Sequence, residues 1–146
     1  MPQLLHILLA DDDKDDCLFF REALDEIKFP ARLFTVSNGV ELMQYLSGGN
    51  IPDILFLDLN MQLKNGYECL REIRINKNLD RLKVIIYSTS WTQKIAEHLE
   101  QLGADDYIQK PPEFSLLKEK IRDVLVQVFP VSMPSRSKRK TRRVNS

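Results

Sequence analysis

Several polar side chains of this sequence stand directly after short apolar segments, at the points where those segments end. They are Asp11, Asp12, Asp58, Ser88, Thr89 and Lys110. Carboxylates that lie close together cannot all stay ionised without a compensating cation. Mg²⁺ binds oxygen ligands and keeps several waters, and a lysine adds a further positive charge. A carboxylate surrounded by metal, ammonium and hydroxyl groups suits phosphoryl transfer, with the aspartate itself as nucleophile.

The apolar segments have the length and composition of buried strands. They cover 4–10, 33–36, 54–57, 84–87 and, more weakly, 107–109. Short unbroken apolar runs bounded by turn signals are typical of strands that are buried on both faces of a parallel sheet. Ligands of such sheets bind outside the carboxyl ends of the strands. We therefore expect the polar side chains to converge at one edge of the sheet.

Helical patterns lie between the strands. Apolar residues recur at spacings of three and four over 14–27, 38–47, 66–76, 92–101 and 113–129. Asp13 is a natural N-cap, and Asn38 with Glu41 forms a capping pair. Five strands alternating with five helices predict an α/β protein with a parallel sheet and helices on both faces.

Five motifs in register, ILLADDD, ILFLDLNM, NG, IIYSTS and DDYIQKPP, make the chain resemble the response-regulator receiver family over residues 4–129. The resemblance implies a flavodoxin-like, doubly wound, five-stranded parallel sheet of order 2-1-3-4-5 with five helices. Within the family, the STS and DDYIQKP segments are similar to stand-alone regulators that accompany sensor kinases, including bacterial phytochromes.

The resemblance also implies roles for single residues. Asp58 would be the phospho-acceptor, and Mg²⁺ or Mn²⁺ would be held by Asp11, Asp12, Asp58 and the backbone carbonyl of Asn60. Ser88 and Lys110 would each bond a phosphoryl oxygen, and the Lys110–Pro111 peptide would be cis. Ser88 and Tyr107 would form the switch pair, with the Tyr107 ring turning inward. A simple aromatic residue at the sheet edge is the alternative for Tyr107.

Three positions depart from the family pattern. Gln62 replaces a usual proline, Ser88 replaces the commoner threonine, and Thr89 is larger than the usual small residue. These changes bear on the rates of phosphorylation and dephosphorylation, because none of them removes a catalytic group.

Charge divides the 146 residues into two parts. The whole chain carries 21 basic and 21 acidic residues, but the segment 133–146 has six basic residues and no acid, which leaves 15 basic against 21 acidic, a net of −6, for the rest. We expect a receiver domain over 1–130 and a basic, disordered tail over 131–146. Neither a signal peptide nor a membrane span is evident. Cys17 and Cys69 lack the spacing of a C-x-x-C motif or a metal site, so we interpret them as free thiols and predict a cytoplasmic protein.

The predicted function is that of a stand-alone response regulator of two-component signal transduction, which is not an enzyme acting on an external substrate. A sensor histidine kinase or histidine phosphotransfer protein would donate to Asp58, and a downstream protein would recognise the result. A homodimer through the fourth helix, fifth strand and fifth helix is compatible with the family. A phosphorelay intermediate or phosphate sink is the alternative, and a metal-dependent phosphohydrolase is a remote one. Specific nucleic-acid binding is not expected, because only the tail is basic.

The remaining polar and aromatic residues have ordinary interpretations. Asp13, Asp15 and Asp16 are interpreted as acids of a helix start, where negative charge is favoured. His6 and His98 are interpreted as packing or surface residues. Trp91 belongs either to a partner-facing rim near the site or to the packing of a helix start.

Overall fold

The computed structural model of this protein describes residues 4–130, so the predicted tail lies outside the described residues. Five strands are formed by β1 (Leu5–Ala10), β2 (Ala31–Val36), β3 (Ile54–Leu57), β4 (Lys83–Ser88) and β5 (Asp106–Gln109). The helices are α1 (Lys14–Ile27), α2 (Gly39–Leu46), α3 (Gly66–Ile75), α4 (Gln93–Leu102) and α5 (Phe114–Val128). A single 3-10 turn, Lys77–Leu79, precedes β4 and was not predicted.

All strand pairings in the described sheet are parallel, in the order β2-β1-β3-β4-β5. The predicted α/β, flavodoxin-like fold is therefore confirmed. The strand order reverses between β1 and β3, where Ala10 pairs with Leu57. This register brings the residues that follow the two strands side by side, and the Asp58 backbone N–H donates to the Ala10 carbonyl at 2.9 Å.

Two apolar layers cover the two faces of the sheet. One layer joins α1 and α5 to side chains such as Ile7 and Leu9, and the other joins α2, α3 and α4 to Leu8 and Ala10. Successive side chains of a strand point to opposite faces, which is why β1 contributes to both layers. Each fully buried Leu or Ile contributes about 1.5–3 kcal/mol to folding. A strand packed on both faces holds the residue that follows it in a defined position.

Helix starts are capped by polar side chains close to the carboxyl edge of the sheet. Asp13 is the N-cap of α1 and accepts from the backbone N–H groups of Asp15 and Asp16, as predicted. Asn65 and Glu68 form a reciprocal capping box at the start of α3. These bonds satisfy N–H groups that have no partner within the helix, and so fix where each helix begins.

The prediction of a cis Lys110–Pro111 peptide is wrong for this structure, because no peptide bond within residues 4–130 is cis. The trans isomer of an X–Pro bond is intrinsically favoured by about 0.5–1 kcal/mol, so that only the surrounding packing can select the cis form. A motif of local sequence carries no information about that packing.

Both cysteines are free, as predicted, and burial raises the pKa of each thiol to about 11. The Cys17 thiol points to the Asp11 carbonyl at 3.6 Å, beside the candidate site, but it stays protonated at neutral pH. Within the described part of the chain, the helices are too short or too polar to cross a membrane.

Candidate functional site

Asp11, Asp12 and Asp58 meet at the carboxyl edge of the sheet, at the point where the strand order reverses. One carboxylate oxygen of each lies within 4.8 Å of the others. Asp11 and Asp58 are buried, with only 1% and 5% of their surfaces exposed, whereas Asp12 is exposed. Three carboxylates at this separation, one of them open to solvent, form a site that a hard divalent cation can enter.

Lys110 reaches this cluster from the loop that follows β5. Its Nζ lies 2.8 Å from Asp11 Oδ2, 2.8 Å from Asp16 Oδ2 and 3.8 Å from Asp58 Oδ2. The ammonium also lies 5.1 Å from the centre of the Tyr87 ring and makes a cation–π interaction with it. The lysine is therefore bound most closely to Asp11 and Asp16, and faces Asp58 across a gap.

Burial dominates the protonation of the site. Desolvation raises the pKa of Asp58 to about 7, although Lys110 opposes the shift, and desolvation likewise raises the pKa of Asp11. Burial alone would lower the pKa of Lys110, but its ion pair with Asp11 and the hydrogen bond that its ammonium donates to Asp16 outweigh that effect and raise the pKa. A single ammonium does not compensate the neighbouring carboxylates, so the cluster favours the arrival of a further cation.

The two buried acids differ in how their oxygens are occupied. Asp11 Oδ1 accepts from the Asp13 backbone N–H at 3.0 Å, while its Oδ2 carries the ion pair to Lys110. Asp58 Oδ1 has only a long contact, 3.4 Å, to the Asn60 backbone N–H. Asp58 is therefore the buried acid whose oxygens are least engaged by the protein.

The loop after Asp58 is held close to the start of α3. The Gly66 backbone N–H donates to the Leu59 carbonyl at 2.9 Å. A Cβ at Gly66 would lie 2.8 Å from Leu59 Cα and would also overlap the Asp58 carbonyl. Only glycine allows this approach of helix to loop.

Gly66→Ala is expected to lower the free energy of unfolding by about 1–3 kcal/mol and to weaken divalent-cation binding, because the added methyl pushes the Asp58 segment away from α3. Urea unfolding and a Mg²⁺ titration measure the two effects. Gly48→Ala is the matched control, since its Cβ would lie 3.4 Å from the Tyr45 carbonyl, at ordinary contact distance. Equal effects of the two substitutions would contradict the steric explanation.

Ser88 and Tyr107 lie on neighbouring strands. Ser88 is completely buried, and its Oγ accepts from the Ser90 backbone N–H at 3.2 Å. Tyr107 is half-buried, its hydroxyl has no hydrogen-bond partner among residues 4–130, and burial raises its pKa. Thr89 is exposed beside Ser88. The Tyr107 hydroxyl is thus buried without a hydrogen bond from the described residues, and the coupled movement of Ser88 and Tyr107 stays a prediction.

Two contributors to the site were missed by sequence reasoning. Asp16 was interpreted as an acid of a helix start, which is incomplete because it binds Lys110. Its position on the first turn of α1, directly after the loop that carries Asp11 and Asp12, was the available signal. Tyr87 was assigned only to a strand, and no local pattern predicts its ring beneath Lys110.

The other singled-out residues have the following surroundings. His6 Nε2 lies 2.7 Å from the Tyr45 hydroxyl and its ring packs against Phe34, while the His98 ring lies 5.7 Å from that of Tyr67. His6 is a packing residue and His98 an exposed surface residue, in agreement with the two alternatives predicted. Trp91 is 47% exposed near the site, and a partner-facing role for it stays a prediction.

Fold and site together define a flavodoxin-like α/β protein with a cation-binding acidic cleft at the topological switch point of its sheet. A sequence model of the response regulator receiver domain matches residues 7–122. The chain therefore belongs to the response regulator receiver family of two-component signalling.

Individual relatives agree with this assignment. The chemotaxis protein CheY homolog of Campylobacter jejuni is 31% identical over 121 residues, which span 83% of this chain and 92% of the relative. The phosphorylated cyanobacterial phytochrome response regulator RcpA superposes with a TM-score of 0.80 at 31% identity, covering 91% of this chain and 100% of that one. Response regulator Rcp1 of Synechocystis, in its Mn²⁺-bound form, superposes with a TM-score of 0.77 at 25% identity, covering 90% and 99%.

Proposed function

We propose that this chain is a phospho-acceptor switch. It takes a phosphoryl group onto Asp58 from a sensor histidine kinase or a histidine phosphotransfer protein in the cytoplasm, and then changes its contacts with a downstream protein. The observation that carries the proposal is the buried Asp58 carboxylate, which lies beside Asp11 and Asp12 and faces the Lys110 ammonium at 3.8 Å.

The donor set fits a divalent cation. Asp11, Asp12 and Asp58 would hold Mg²⁺ or Mn²⁺, with the Asn60 carbonyl as a further ligand. When bound, the ion supplies positive charge for the oxygens of the incoming phosphoryl group. The Mn²⁺-bound form of the related Rcp1 supports this assignment.

Asp58 acts as the nucleophile. One of its carboxylate oxygens forms a bond to phosphorus as the bond from phosphorus to the imidazole nitrogen of the donor histidine breaks, and the imidazole keeps the electron pair. Lys110 then contacts one phosphoryl oxygen, and the buried Ser88 hydroxyl donates to another after rotating away from Ser90. The chain promotes the gain and loss of its own phosphoryl group and needs no external substrate.

The output follows from a shift between two conformations. When Ser88 turns towards the phosphoryl group, its contact with the buried Tyr107 hydroxyl changes, and the surface around α4, β5 and α5 changes as a result. The phosphoryl group needs to bias this equilibrium by only a few kcal/mol, because its differential contacts set the population of each state.

Incubation with acetyl phosphate and Mg²⁺ tests the proposal. Intact-protein mass spectrometry is expected to show one added phosphoryl group, which is absent when EDTA removes the metal. Isothermal titration establishes separately that Mg²⁺ binds. The phospho-acceptor function is wrong if three results occur together in a folded chain: Mg²⁺ binds, beryllofluoride does not bind, and no phosphoryl adduct forms.

A further inference from the structure

We infer that Asp16 is a positioning residue for Lys110, which keeps one donor of the ammonium directed at the phosphoryl position on Asp58. The inference rests on the proposed function. It starts from the two ion pairs of equal length that Lys110 makes, 2.8 Å to Asp11 and 2.8 Å to Asp16. None of the five motifs, from ILLADDD to DDYIQKPP, includes Asp16.

The geometry of the two contacts explains why a second carboxylate matters. A lysine ammonium has three N–H donors and can rotate freely about its terminal bond. Contact with Asp11 alone would leave that rotation open, because this ion pair at 2.8 Å does not have hydrogen-bond geometry. The hydrogen bond to Asp16 fixes that rotation, so that the two remaining donors keep set directions, and Asp58 Oδ2 lies 3.8 Å from the ammonium. That distance is too long for a hydrogen bond, and it leaves room for an oxygen carried by Asp58.

Asp16 is itself held in a fixed position. Its backbone N–H donates to Asp13 at 3.1 Å, which anchors the first turn of α1. One turn further on, the Phe20 ring packs edge-on against Phe56 of β3 and Tyr87 of β4, with centroids 4.9 and 5.4 Å apart. The contact from Asp16 to Lys110 thus joins a rigid helix to the loop after β5, across 94 residues of sequence.

Burial indicates that the contact persists in solution. The Lys110 side chain is 9% exposed, and that of Asp16 is 34% exposed. A mostly buried ammonium loses hydration and depends on its protein partners, in contrast to a surface pair that water can replace. The partly open Asp16 side chain can still adjust when the phosphoryl group draws the lysine slightly towards Asp58.

The first measurement follows the Lys110 ammonium directly, in the metal-free chain. Its ¹H–¹⁵N signal, assigned with a Lys110→Arg variant, should exchange with water about tenfold faster in Asp16→Ala, the effect of losing one charge-assisted hydrogen bond. Asp16→Glu should restore much of the protection. Asp15→Ala is the matched control, because Asp15 is exposed on the same helical turn and its loss changes the charge equally.

The second measurement uses beryllofluoride as a phosphoryl stand-in at saturating Mg²⁺, followed by Trp91 fluorescence. Its apparent affinity should fall about tenfold in Asp16→Ala, as expected for one misplaced charged donor, and stay unchanged in Asp15→Ala.

Unchanged ammonium exchange in Asp16→Ala, or the same change in Asp15→Ala, overturns the inference. Tighter beryllofluoride binding by Asp16→Ala also overturns it, since Asp16 would then compete for Lys110. If the parent chain binds no beryllofluoride, the proposed function fails, and the ammonium exchange still decides the role of Asp16.

Discussion

Asp58→Ala is expected to abolish the acetyl-phosphate adduct, with at least about a 100-fold loss of the rate, because the substitution removes the nucleophile itself. Time-resolved intact mass spectrometry with Mg²⁺ measures the rate. Asp80→Ala is the control, since Asp80 is an exposed aspartate at the opposite edge of the sheet. It should be phosphorylated as the parent is.

The geometry explains why a neighbouring carboxylate should not take over. Both oxygens of Asp11 are engaged, one by the Asp13 backbone N–H and the other by Lys110 at 2.8 Å. Asp12 is exposed, so water competes with the donor at its oxygens. An adduct that persists in Asp58→Ala, and that peptide mapping locates on Asp11 or Asp12, would contradict this assignment of the nucleophile.

The second large effect concerns stability in the absence of metal. Asp58 has a pKa of about 7 in the folded chain, raised by burial from a usual 3.8, so that folding favours its neutral form. The stabilisation from protonated Asp58 is complete below pH 4 and is lost as the pH rises through 7. Asp58→Asn keeps a neutral group of the same shape at every pH. It should therefore raise the free energy of unfolding at pH 8 by as much as about 4 kcal/mol.

Urea unfolding in EDTA at pH 4, 6 and 8 measures this difference between Asp58→Asn and the parent. The gain should be small at pH 4 and largest at pH 8, while Asp80→Asn should match the parent throughout. Added Mg²⁺ should reduce the gain at pH 8, since a ligand that binds the folded parent stabilises it. A gain that is equal at all three pH values would show that Asp58 is not a buried, destabilising charge.

Local patterns of sequence determined most of the fold. The apolar run at Ile54–Leu57 and the N-cap Asp13 were predicted at the residues where they occur, because strand alternation, helix periodicity and capping act over a few neighbouring residues. Errors in the assignment of helices and strands were confined to element ends, such as β2, which begins at Ala31 and not at 33, and to the 3-10 turn before β4. Pairing with β1 extends β2 beyond its apolar core.

The meeting of Asp11, Asp12 and Asp58 also followed from sequence, because the carboxyl ends of parallel strands share one edge of a sheet. What these acids do chemically, and the switch roles of Ser88 and Tyr107, are proposals that the experiments above test. The motif NG was one of the five that carry the resemblance, but the overlap that excludes a side chain at Gly66 depends on Asp58 and Leu59 and is not visible in the sequence.

Tertiary structure alone decided how Lys110 is held. Its two closest carboxylates lie on the loop after β1 and on α1, and the ring beneath it belongs to β4, so that no window of sequence contains the arrangement. The trans form of Lys110–Pro111 and the raised pKa of Asp58 have the same origin. Both depend on which atoms surround a group and how much water they exclude, and these are properties of packed segments that are distant in the chain.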